Sequence, residues 1–325
     1  MATMQSAVKA PMTDLEKQRR KAKRKKLFIQ FLPLYIMLIP GLVYLILNNY
    51  LPMAGLVIAF KKIDYSKGIF ASPWVGFKNF TYLFNNPDAL KAMRNTVLYN
   101  LTFIILGNIM AITVAIALDT VKKKFLKNFS QVIILLPYLL STVIVSYIVY
   151  AFLNPTNGFM NNTILKAFDV AKIKWYNEPK YWPYILTIVY LWMSTGYSSI
   201  LYYSTIIGID KSLYEAAVTD GATTWDQIVH VTLPGLKYTI ITLVLLAVGR
   251  ICFSDFGLFY QIPQHSGLLY ETTQTIDTFV YRALLELNDV GRSSAAGFLQ
   301  SILGFILVFL ANMLVSKIDK QSALF

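Results

Sequence analysis

Two apolar stretches in the second half of the chain carry residues that could hold a polar solute. Tyr190, Ser194 and Tyr197 recur at i, i+4 and i+7, so on a helix their rings and hydroxyls share one face. Trp192, Tyr202 and Tyr203 are nearby but fall on other faces. In the next stretch Arg250 and Ser254 stand four residues apart, with Phe253, Asp255 and Phe256 adjacent. A charge inside an apolar run is costly and marks either a pathway or a buried pair. As a pathway residue, Arg250 suits an anionic group such as a carboxylate. As a structural one it pairs with Asp255 or with another subunit. The tyrosines carry the same two meanings, because a Tyr/Ser face is also an ordinary seam between helices.

Little else in the chain could do chemistry. There is no G-x-x-x-x-G-K-[ST] run to cradle phosphates, no H-E-x-x-H, no G-x-S-x-G and no paired cysteine motif. His230 and His265 are far apart, and the lone Cys252 reads as a small hydrophobe inside a helix. No catalytic residue, metal site or cofactor is expected, and the chain is not expected to be an enzyme.

The elements that must position these residues are membrane helices. Of 325 residues, 56% are hydrophobic and 14% charged, with a mean hydropathy of +0.51. Soluble chains carry roughly a quarter charged residues. Six runs approach the ~20 residues that cross a bilayer: Leu27 to Asn48, Asn95 to Leu118, Phe129 to Leu153, Trp182 to Ile207, Tyr238 to Phe259, and Gly297 to Val315. Leu51 to Phe60 is too short to cross and extends the first helix or lies in the interface. Trp182 and Tyr184 suit an aromatic belt. Gly297, Ser301, Gly304 and Ala311 form a small-residue face that suits close packing, within the bundle or between subunits.

The net charge of +13 fits topology better than nucleic acid. Basic clusters at residues 17–26 and 122–127 abut apolar runs, which fixes both on the cytoplasmic side. The expected organisation is a basic cytoplasmic tail over 1–26, which also suits contact with anionic lipid, and a transmembrane domain over 27–325. Both termini then lie inside, as does the loop 208–237, and no cleavable signal peptide is expected.

That loop has its own design. Asp210 can cap a helix from Lys211, and Gly221 can end it in the left-handed conformation. Leu213, Ala216 and Ala217 fall near one side, with Glu215 turned away. Thr224 and Gln227 have the spacing of a capping box for a second helix, striped by Trp225, Ile228 and Val229 and closed by Pro234. Two rigid helices joined to membrane spans can transmit force.

The spacing Glu215-Ala216-Ala217, Gly221, Val231-Thr232-Leu233-Pro234 resembles the EAA motif of permease subunits of binding-protein-dependent ABC importers. The single departure is Val231, where isoleucine is usual. Gly55 to Phe60, Pro73-Trp74-Val75-Gly76-Phe77 and Thr275-Ile276-Asp277-Thr278 further resemble the sugar-permease branch that handles complex oligosaccharides. The resemblance implies an all-α polytopic fold with six transmembrane helices, the type I importer permease fold (MetI-like), in a bacterial plasma membrane. It implies that Glu215, Ala216, Ala217, Asp220 and Gly221 dock an ATPase, and that Tyr190, Ser194, Tyr197, Arg250 and Ser254 line the solute pathway. The implied partners are a second, non-identical permease, two ATP-binding subunits that hold ATP and magnesium, and an extracellular solute-binding protein. Residue types by themselves leave open a gradient-driven transporter or channel and a membrane scaffold, and the loop does not exclude a non-sugar solute.

Overall fold

The computed structural model describes residues 14–286 and 288–318. These form helices and turns, with one isolated bridge between Lys61 and Trp74 and no strand among the described residues. The chain divides at Val57 into two compact units.

The first unit, which ends at Val57, holds α1, Asp14–Leu45, a π turn at Ile46–Tyr50 and further helical turns. Residues 1–13 of the expected tail lie outside the described residues; from Asp14 the chain is already helical. The Leu51 to Phe60 run extends the first helix, giving a helical span of 40 residues from Lys21 to Phe60. Every side chain from 25 to 54 is exposed, although the sequence there is apolar. A helix apolar on all sides requires lipid or another protein around it.

The second unit starts at Ile58 and carries the short amphipathic helix α2, Lys78–Asn85, which buries Phe80 and Leu83. Asn86 then caps the 34-residue α3, Pro87–Thr120, accepting from the Asp88 N–H at 2.9 Å while Pro87 sits where no donor is needed. Next come α4, Lys124–Leu139, and α5, Thr142–Leu153. The long α6, Trp182–Ile206, packs along α3 and α4. The loop helices are α7, Lys211–Thr219, and α8, Thr224–Gln227, which lead into α9, Leu233–Gly249. After it follow α10, Phe256–Gln261, α11, Ile276–Leu285, and α12, Val290–Ile318.

One core joins Tyr99 and Phe103 of α3 to Trp182, Leu186 and Val189 of α6 and to Leu258 and Phe259 of α10. Another gathers Ala111, Ala115, Tyr202, Ile206 and Leu236 towards the loop. Trp182 is fully buried and its indole N–H donates to the Trp175 carbonyl at 2.8 Å, so only Tyr184 of the expected belt pair is exposed.

Two expected spans are not continuous helices. The third breaks between α4 and α5 with a bend of 94°. Pro137 withholds one helical N–H, Leu140 is extended, and the Ser141 hydroxyl accepts from the Ile144 N–H to start α5. The fifth stops at Gly249 and restarts at Phe256. Among the described residues, five helices are long and apolar enough to cross a membrane, and the bent pair makes six.

Glycine sets the closest approaches. A Cβ on Gly196 of α6 would fall onto the Ile134 carbonyl of α4, and one on Gly304 of α12 would lie 3.0 Å from the Gly249 carbonyl. Gly304 is therefore bundle packing, whereas Gly297, on the same small-residue face, meets nothing within 4 Å. Gly196→Ala should cost about 1–3 kcal/mol through overpacking, and Gly297→Ala should cost little. Thermal unfolding of the two detergent-solubilised variants would separate them, and equal midpoints would contradict the packing described.

Candidate functional site

The break in the fifth span forms one wall of a cavity of about 510 Å³ between α3, α6 and α9. Three of the five expected pathway residues, Tyr190, Arg250 and Ser254, line it, together with Asn100, Phe103 and Asp255. The Tyr190 ring stacks on Phe103 at 3.8 Å with planes 7° apart, and Ser194 sits beside the Tyr190 hydroxyl. Tyr197 is elsewhere. It stacks on Tyr138 of α4 at 4.7 Å, with both rings substantially exposed. The i+7 spacing carries it too far along α6 to reach the cavity.

Arg250 and Ser254 do not share a helical face, because the helix ends between them. Arg250 closes α9, and its side chain is exposed to the cavity. No carboxylate lies within 4 Å of it among the described residues, so the alternative of a structural pair with Asp255 is not formed. The Asp255 carboxylate instead caps α10, accepting from the Leu258 N–H at 3.1 Å.

Ser254 is held tightly. Its N–H donates to Asp277 Oδ2 at 2.6 Å, and its hydroxyl lies 2.8 Å from that oxygen and 2.7 Å from Thr275 Oγ1. Gln300 of α12 donates to the Cys252 carbonyl at 2.8 Å and to Asp277 at 3.3 Å. From the other side, Asn100 of α3 donates to the Ile251 and Phe253 carbonyls at 2.9 and 2.8 Å. Asn100, Asp277 and Gln300 thus satisfy the backbone that the break leaves unpaired. None of the three was singled out as a pathway residue. The available signal was a polar side chain inside an apolar span at 100 and 300, and the Thr275-to-Thr278 motif.

The loop matches expectation at its first helix. Asp210 caps α7, accepting from the Ser212 N–H at 2.9 Å. Bonds from the Ser212 backbone and hydroxyl hold its carboxyl below the usual carboxylate range. The cap is therefore intact above the ordinary carboxylate pKa and is lost as pH falls through the lowered value. Asp220 ends α7 and Gly221 follows at φ +80°, the left-handed conformation.

The faces of the loop differ from the reading above. Tyr214 and Ala217 are half-buried, with the Tyr214 hydroxyl 3.0 Å from Thr232 Oγ1. Leu213, Glu215, Ala216, Val218 and Asp220 are exposed. Trp225, on the expected apolar stripe of the second helix, is 69% exposed. The capping box lies one residue earlier than Thr224–Gln227: Thr223 and Asp226 bond reciprocally, the carboxylate accepting from the Thr223 N–H at 2.9 Å. Pro234 does not close the second helix. A π turn at Ile228–Thr232 carries it into α9, where the proline occupies the first turn.

Among the described residues no group of histidine, cysteine and carboxylate side chains could hold a metal. The broken span, its polar cavity and the apolar helices around it define a polytopic membrane protein with an internal polar site. Residues 104–320 match the family of binding-protein-dependent transport system inner membrane components. The chain is 36% identical over 308 residues to the polygalacturonan/rhamnogalacturonan transport system permease protein YteP of Bacillus subtilis (strain 168), covering 93% of this chain and 94% of that protein. It is 31% identical to protein LplB of the same organism, covering 89% and 90%. The structure of a bacterial ABC transporter involved in the import of the acidic polysaccharide alginate superposes with a TM-score of 0.84 at 30% identity, over 91% of this chain and 99% of that one. This chain belongs to that family: it is an integral membrane permease of an ABC importer, in which a separate subunit hydrolyses ATP.

Replacing Asn100 by leucine keeps the volume and removes the donor to two carbonyls. The expected cost is about 1–3 kcal/mol for each group left unbonded. Asp277→Asn, which keeps an acceptor for Ser254, should cost less. Thermal unfolding of the purified variants checks the order, and a wild-type midpoint for Asn100→Leu would refute the role given to it.

Proposed function

We propose that this permease forms half of an import pathway for oligosaccharides bearing carboxylates, and that the 208–237 loop receives the ATPase. The observation that carries the first part is Arg250, a guanidinium without an ionic partner among the described residues, opening into the same cavity as the Tyr190–Phe103 stack. A planar cation beside an aromatic face suits a uronate, whose carboxylate it meets bidentately while the ring packs its apolar side. The relatives support the sugar class. YteP is named for polygalacturonan and rhamnogalacturonan transport, and the structural neighbour imports an acidic polysaccharide.

Docking of the ATPase is supported by the exposed face of α7 and α8. Leu213, Val218 and Trp225 present apolar surface beside Glu215, Ala216, Asp220 and the turn at Gly221, and exposed apolar groups of this size suit a protein partner. The assembly then comprises a second, non-identical permease and two ATP-binding subunits that hold ATP and magnesium. It also includes an extracellular solute-binding protein, as in the alginate importer solved in complex with a periplasmic protein. The loop and both termini face the cytoplasm. ATP binding closes the ATPase pair, the loop follows, and the cavity opens outward; hydrolysis returns it inward.

Two experiments test this reading. Arg250→Gln should raise the KM for uptake of a uronate oligosaccharide about tenfold or more, the loss of one charge-assisted bond, with Arg250→Lys in between. Equal KM values would remove Arg250 from recognition. Separately, Trp225→Ala or Glu215→Lys should weaken co-purification of the ATPase about thirtyfold, the scale of an interface hot spot. Full ATPase retention and transport in both variants would exclude the loop as its docking surface.

A further inference from the structure

A second recess, of about 560 Å³, lies outside the pathway and shares no lining residue with it. Its walls come from the segment after the first span, from α2 and from the start of α12, and they hold Lys61, Lys62, Lys78 and Arg292 against one acid, Asp289. Arg292 is already engaged, pairing with Asp289 at 3.1 Å and lying over the Tyr82 ring at 3.7 Å. The three lysines are not neutralised. Lys61 is 93% buried by complement of its 7% exposure, and its ammonium donates only to the Phe70 and Ile69 carbonyls, at 2.6 and 3.2 Å. No carboxylate lies within 4 Å of it among the described residues. Lys62 and Lys78 are exposed at the same recess and have no ionic partner among the described residues.

The segment that joins Lys62 to Lys78 indicates which anion. Its Phe70, Trp74 and Phe77 do not line the recess but are 82%, 63% and 71% exposed. Helix α2 turns Phe80 and Leu83 inward while Lys78, Thr81 and Asn85 line the recess. Exposed aromatics interspersed with lysine through the segment 62–78 are the composition of a membrane–water boundary. A free inorganic anion gives those rings no partner, whereas a lipid supplies both a phosphate and an apolar chain. We propose that this recess binds the head-group phosphate of an anionic phospholipid, with Lys62 and Lys78 at the phosphate and Trp74 and Phe77 against the glycerol and upper acyl region. This site shares no residue with the N-terminal basic run and does not depend on the sugar assignment.

The test is native mass spectrometry of the complete transporter, released from detergent in the presence of phosphatidylglycerol or phosphatidylcholine. Wild type should retain phosphatidylglycerol preferentially. K62Q/K78Q should lower that preference about thirtyfold, the fold-change of two lysines at about 1 kcal/mol each. K62R/K78R should restore it, which also shows that the glutamine variant has not merely lost its fold. Inorganic phosphate at millimolar concentration should not displace the lipid. Equal retention of the two lipids by wild type, or undiminished phosphatidylglycerol in K62Q/K78Q, would overturn the proposal. Displacement by phosphate would reassign the recess to a free anion. Unchanged lipid retention with a lowered response to the solute-binding protein would reassign it to protein docking.

Discussion

A helix that stops inside an apolar span leaves carbonyl and N–H groups where no water can reach them, and each must find a partner within the protein. That constraint governs the region around residues 250–255. Its carbonyls are met by Asn100 and Gln300 and its Ser254 N–H by Asp277, so α3, α11 and α12 are tied to one short stretch of backbone. Gly249 and Gly304 let α9 and α12 come close enough for these short amide side chains to reach. The cavity exists because the helix does not fill it, and the break persists because three separated parts of the chain satisfy it.

The same arrangement explains why charge and aromatic stacking coincide. Arg250 ends α9 and is directed into space that a continuous helix would have occupied, while the Tyr190–Phe103 stack holds the opposite wall by contact between α6 and α3. Asp255, the nearest acid in sequence, is committed to capping α10. A restart of the helix therefore consumes the carboxylate that would otherwise have neutralised the arginine.

Much of this was legible in the sequence, and the gaps have physical causes. The spans around α3 and α6, the Asp210 cap and the Gly221 turn followed from apolar length and from residues with few alternative uses. The breaks in the third and fifth spans did not, because hydropathy averages over a window and a run such as Leu245 to Phe253 reads as continuous helix. What interrupts it is side chains from residues 100, 277 and 300, distant in sequence. Pro234 was read as a stop because proline breaks helix interiors, but a π turn before it makes its position a first turn. The loop's inner side is carried by other residues than its apolar pattern indicates: Leu213 and Trp225 are exposed, whereas Ala217 and Tyr214, with a hydroxyl partner at Thr232, are half-buried.

The π turn has a mechanical consequence. Because it joins α8 to α9 without a hinge, Thr224 and Gly249 are the two ends of one 26-residue rod. At about 1.5 Å per residue the rod is about 39 Å long, so a tilt of about 5° about its loop end sweeps Gly249 sideways by about 3 Å. That is roughly the width of a water molecule, delivered to the wall that carries Arg250. A connector with a flexible joint at Pro234 would have absorbed the same tilt before it reached the cavity.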